Sequence, residues 1–106
     1  MNHFEREVLS VNKKEILEFL RSHREELKHE YGVSRIGLFG SYSKEKQTIN
    51  SDIDFYVEFY DKSFKNLSRL YLFLEEQMGK KIDIVTKHKK LRKSLKDNIE
   101  KTIIYA

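Results

Sequence analysis

The sequence predicts an α/β (α+β) domain in which a small mixed β-sheet is covered by helices mainly on one face. Three observations predict it. Apolar residues recur at three-to-four spacing in three long segments, the mark of amphipathic helices. Between and beside them lie short β-prone runs, Val33 to Phe39, Ser51 to Phe59 and Lys81 to Thr86. In the second and third runs aspartates alternate with apolar residues, so one strand face belongs to a core and the other stays open.

Each element has its own signal. Asn12 is placed to cap a helix over about residues 13–31, in which Ile16, Leu20, Leu27 and Tyr31 share a stripe and Gly32 marks the stop. Val33 to Phe39 reads as a buried strand, and Gly40-Ser41 opens a short helical turn through about Lys46. Gln47 to Asn50 is a polar loop before the alternating strand Ser51 to Phe59. After an Asp61-Lys62-Ser63 turn, Phe64, Leu67, Tyr71, Leu74 and Met78 form the core stripe of a helix that Gly79 ends. The third strand puts Ile82 and Ile84 on one face and Asp83 on the other. From about Lys89, the residues Leu91, Leu95, Ile99 and Thr102-Ile103 form a closing amphipathic helix.

With 106 residues, 39% of them apolar, the chain is expected to be one domain with a small two-layer core, its catalytic part over about 33–106. It has no run of about 18 apolar residues, and the start MNHFEREVLS lacks the apolar stretch of a signal peptide, so the expected location is cytoplasmic, without a membrane. Zero cysteines exclude disulfides and thiolate zinc sites. His3, His23, His29 and His88 show no metal-ligand spacing and read as ordinary surface or helix residues. A net charge of +4, within 36% charged residues of both signs, reads as a normal soluble surface rather than a nucleic-acid-binding one.

The chemistry lies between Ile36 and Val57. Ile53, Phe55, Val57 and Phe59 share one strand face, which leaves Asp52 and Asp54 side by side on the other. Adjacent carboxylates raise each other's proton affinity unless a cation sits between them. Hard oxygens at this spacing suit Mg²⁺, which keeps waters and completes its shell with substrate phosphates. If the third strand lies beside the second, Asp83 joins them. Glycine before serine at a strand-to-helix junction lets a phosphate approach the backbone, where the N–H groups of the helix start and the Ser41 hydroxyl can bond it. Ser41 as a plain helix N-cap is compatible with that use. Two ions about 4 Å apart would stabilise the entering and leaving oxygens of an in-line displacement, the chemistry of nucleotidyl or phosphoryl transfer. A Walker A loop, a dinucleotide-binding glycine pattern and a Ser-His-Asp arrangement are all missing.

Gly40-Ser41, a ten-residue gap, Asp52-x-Asp54 and a later strand aspartate resemble the polymerase-beta-type nucleotidyltransferase superfamily, specifically its minimal nucleotidyltransferase (MNT) branch. The two motifs at one fixed gap would coincide by accident in roughly one chain per thousand of this length. The resemblance implies the polymerase-beta-type fold, with Gly40 and Ser41 holding ATP and with Asp52, Asp54 and Asp83 as metal ligands, Asp83 also helping to activate the acceptor. Members often carry an Arg-Gly pair shortly after the Gly-Ser, where this chain has Lys44-Glu45. Lys44 offers phosphate a point charge without the arginine fork, and it reads equally, with Lys46, as a solvated turn residue. Proteins of this kind are often antitoxins of HEPN/MNT pairs, which implies AMP transfer from ATP to a tyrosine of a HEPN ribonuclease. A non-catalytic antitoxin and a subunit modifying a small aminoglycoside-like acceptor are the other open classes. Tyr42, Tyr56 and Tyr105 are conceivable acceptors but read as packing residues, and the basic stretch Lys87, Lys89, Lys90, Arg92 and Lys93 as a partner contact or a solvated face.

Overall fold

The computed structural model describes residues 11–106, which leaves His3 and the polar lead outside the described part. Asn12 caps as expected, its side chain accepting from the Glu15 N–H at 2.9 Å. The first helical region is two helices, however: α1 (Lys13–Ser22) and α2 (Arg24–Tyr31) meet at a break on His23. At the break the Ser22 hydroxyl donates to the Phe19 carbonyl, and the His23 ring stacks on Phe19 with Nδ1 2.9 Å from that same carbonyl. Two side chains thus share the Phe19 carbonyl with the backbone N–H of His23, a crowding of one acceptor that the apolar periodicity alone does not reveal.

Strand β1 (Val33–Phe39) leads through Gly40 into the four-residue helix α3 (Ser41–Lys44), and β2 (Ile53–Phe59) follows. Helix α4 (Phe64–Met78) crosses to β3 (Ile82–Thr86), α5 (Lys93–Thr102) follows, and a two-residue strand β4 (Ile104–Tyr105) ends the described chain. The sheet order is β3-β2-β1-β4. Strands β1 and β2 are antiparallel, β2 and β3 parallel, and β4 runs antiparallel to β1, so the sheet is mixed as expected. The α4 crossover is what permits the parallel pair.

The main core lies on one face. Ile36, Leu38, Ile53, Phe55, Val57 and Ile82 meet Ile16, Leu20, Leu27, Leu70, Leu74 and Met78 from α1, α2 and α4 there. Two details of the α4 stripe differ from expectation. Phe64 is 85% exposed because it is the first residue of the helix, ahead of the stretch that lies on the sheet. Leu70, outside the expected stripe, is fully buried.

The opposite face is not left bare. Phe39, Tyr56 and Ile99 form a second, smaller cluster, with Val85, Leu91, Leu95 and Ile103 packed around it, so α5 lies on the face that carries the carboxylates. Strand β4 was not expected from the sequence. It fits because Gly37 has no side chain: a Cβ there would stand 2.8 Å from Ile103 and 3.1 Å from the Ile104 carbonyl.

Leu74→Ala is expected to lower unfolding free energy by about 3 kcal/mol, the usual cost of a cavity in a tight core. Phe64→Ser should leave it within about 0.5 kcal/mol, and urea titrations of the two variants decide between this burial pattern and the sequence stripe. Glu45, which closes α3, holds a left-handed backbone (φ 58, ψ 39) where the resembled family carries glycine. Glu45→Gly is therefore expected to stabilise the chain by about 1 kcal/mol in the same assay.

Candidate active site

Strand register assembles the site. In the parallel β2–β3 ladder Asp54 stands opposite Asp83, and in the antiparallel β1–β2 ladder it stands opposite Phe39, the residue before Gly40. Asp52 precedes Asp54 by two residues. Ile53 and Phe55 are fully buried on the core side, so the aspartates between and before them are turned to the α5 side of the sheet. Asp52 and Asp54 are half-buried and Asp83 is exposed. The sequence expectation that Asp83 joins the pair is met.

Gly40 is held in a conformation that glycine alone takes without strain (φ 79, ψ −149). Space also demands glycine there, since a Cβ would collide with the Asp54 carboxylate oxygen Oδ2. The Gly40-Ser41 bend and the central aspartate are therefore in van der Waals contact across the β1–β2 seam. The Gly40 N–H is committed, since it donates to the Thr102 hydroxyl at 2.9 Å. What remains for an anion is the half-buried Ser41 with the N–H groups that follow it. Lys44 is exposed, and its backbone N–H closes the turn on the Gly40 carbonyl at 3.1 Å.

Burial first, then the negative charges of Asp83 and Asp52, push the Asp54 carboxyl up to about 6. Among the described residues no lysine, arginine or histidine pairs with any of the three aspartates. Nor do three His, Cys, Asp or Glu side chains form a closed metal-holding group among those residues. The donor set still fits Mg²⁺: it supplies hard oxygens with no competing cation, and this ion draws the rest of its shell from water and phosphate.

The other sequence candidates fall elsewhere. Tyr42 is buried in the main core, and the Tyr56 hydroxyl donates to Glu58 at 3.0 Å. Tyr105 lies under the Arg35 guanidinium, 4.0 Å from its ring centre. His29 faces Glu25 on one helix, and His88 Nδ1 accepts from the Lys90 N–H. Thr102 is the site residue that sequence reading passed over, since it looked like one more position on a packing stripe.

The raised Asp54 carboxyl makes stability depend on pH. In the metal-free protein the folded chain holds the Asp54 proton more tightly than the unfolded one, so this stabilisation is complete below the ordinary value of 3.8 and lost as pH rises through about 6. With chelator present, the melting temperature of the wild-type chain minus that of Asp54→Asn should fall between pH 4 and pH 7.5. By calorimetry, a difference flat across that range would contradict the burden placed on Asp54.

Known proteins share this arrangement. The family model of the nucleotidyltransferase domain matches residues 20–106, which takes in every strand and all three aspartates. A Methanocaldococcus jannaschii protein assigned as a protein adenylyltransferase is 42% identical over 94 residues, covering 86% of this chain and 94% of that one. The protein adenylyltransferase MntA of Thermococcus cleftensis is 36% identical over 91 residues, covering 85% of this chain and 87% of its own length. A solved structure assigned as a minimal nucleotidyltransferase superposes with a TM-score of 0.64 at 32% identity, covering 83% of this chain and 93% of that one. In the complex of a tri-AMPylated Shewanella oneidensis HEPN toxin with an MNT antitoxin, the matching chain has a TM-score of 0.56 at 20% identity, covering 84% of this chain and 70% of that one, a likeness of fold. A mixed sheet that sets three aspartates beside a Gly-Ser bend, matched over most of its length, makes this chain a member of the nucleotidyltransferase domain family.

Proposed function

We propose that this chain is the antitoxin of a toxin-antitoxin pair and transfers AMP from ATP to a tyrosine of a HEPN-type ribonuclease partner, which it thereby neutralises. The observation that carries the reading is the pairing of Asp54 with Asp83 next to the Gly40-Ser41 bend, an acidic row in contact with a strand-to-helix junction. Curated relatives that act as or are assigned as protein adenylyltransferases support the kind of acceptor. The toxin complex of the same fold supports the kind of partner.

In this reading Ser41 and the N–H groups after it bind the triphosphate and orient its α-phosphorus toward the aspartates. Asp52, Asp54 and Asp83 would hold Mg²⁺, which when bound would neutralise charge on the phosphates and on the leaving pyrophosphate. The tyrosine oxygen of the partner forms a bond to the α-phosphorus as the bond to the bridging oxygen breaks, and pyrophosphate departs. Asp83, the most exposed of the three, takes the tyrosine's proton in this reading. Lys44, exposed at the end of α3, adds a positive charge one turn after Ser41.

The test uses the purified chain, a HEPN-type ribonuclease as partner, Mg²⁺ and α-labelled ATP. Label should appear on a tyrosine of the partner, and the Asp52→Asn, Asp54→Asn double variant should reduce its rate by at least about 10³-fold. If the double variant neutralises the partner as well as the wild type does, binding alone is the mechanism. Label on a small acceptor without any partner would make the chain a small-molecule transferase subunit instead.

A further inference from the structure

The Gly40-Ser41 bend is tied down from a distant part of the chain. Thr102, the last residue of α5, stands 62 positions from Gly40 and touches the bend twice. Its hydroxyl accepts from the Gly40 N–H at 2.9 Å, and its carbonyl accepts from the Ser43 hydroxyl. The Thr102 hydroxyl spends its own proton on the Asn98 carbonyl at 2.8 Å, so a lone pair is fixed toward Gly40. Ser43 is the one buried polar residue among the described residues, and this bond satisfies it. Ser41 thus sits between two residues that α5 anchors. From the other side the Asp54 carboxylate abuts the Gly40 Cα.

We infer that Thr102 is a positioning residue of the transfer reaction: by holding the Gly40 N–H, its hydroxyl fixes where Ser41 meets the phosphates relative to Asp54. The inference rests on the proposed AMP transfer. Thr102 touches no reacting atom. Its effect runs through the bend, and a displacement of the bend by a fraction of an ångström from the aspartates is enough to slow an in-line displacement. Freed of Thr102, the Gly40 N–H turns to water and the bend keeps only the pairing of Phe39 and the contact with Asp54 to hold it.

The pair Thr102→Ser and Thr102→Ala isolates the hydroxyl, because both lose the same methyl group and differ by one oxygen. Transfer to the partner is measured with Mg²⁺ over a range of ATP concentrations, and melting temperature is recorded for each protein. Thr102→Ser should keep kcat/KM for ATP within about threefold of wild type. Thr102→Ala should lose about 10- to 100-fold, shared between a higher KM for ATP and a lower kcat, by the usual penalty for misplacing a bound reactant. Thr102→Val, which keeps the shape without the hydroxyl, should behave like Thr102→Ala. Equal kinetics for the Ser and Ala variants would overturn the role of the hydroxyl, as would a loss that follows melting temperature and appears in kcat alone. A wild-type chain that transfers no AMP would instead overturn the function on which the inference rests.

Discussion

The contact of the Asp54 carboxylate with the bare Cα of Gly40 is the constraint on which the rest of the site depends. It is possible because β1 and β2 pair with Phe39 opposite Asp54, which carries the next residue of β1 over the carboxylate. That register is in turn set by the core face, where Ile36, Leu38, Ile53, Phe55 and Val57 must all point inward together. A slip of one residue would send the aspartates into the core and the aliphatic residues into water. Packing on one face of the sheet thus fixes chemistry on the other.

The arrangement stores an electrostatic cost. Three carboxylates are gathered on one row, and the central one is partly desolvated and pushed toward neutrality. The aliphatic core, from Ile16 to Ile82, holds the strands in place against that repulsion. A group that binds between the aspartates relieves it, so the site is more stable loaded than empty. This is the pattern of a binding site rather than of a fold optimised for stability, which would have placed an arginine or lysine there.

The fold and the carboxylate row were legible because their signals are local. Period-two alternation in β2 and β3, the Gly40-Ser41 pair and the Asn12 cap each span a few residues, and the α4 crossover made a parallel partner for β2 plausible. What escaped depends on side chains competing with the backbone or on contacts distant in sequence. The break at His23 comes where two side chains crowd the Phe19 carbonyl inside a stripe of good helical period. The stripe also overcounted at Phe64, where the helix begins before the sheet does. Strand β4 has two residues, too few for a pattern, and depends on the missing side chain of Gly37. Thr102 gave no sign of its bond to Gly40, because no spacing rule joins positions 62 residues apart.

The second cluster explains why the open face is a site only at one end. Beyond the aspartates, Phe39, Tyr56 and Ile99 close the face with α5, and beyond them Arg35, Glu58 and the Tyr56 hydroxyl form a bonded group. Arg35 holds the Glu58 carboxyl below its ordinary range, and burial, then the bond to Glu58, pushes the Tyr56 phenol up to about 12. A phenol so reluctant to ionise, with its proton committed to Glu58, is a poor nucleophile. Tyr42 is sealed in the core, and Tyr105 lies under Arg35 on the far side of Gly37. The three tyrosines weighed as acceptors in the sequence are each committed elsewhere, which accords with the proposal that the acceptor comes from another molecule.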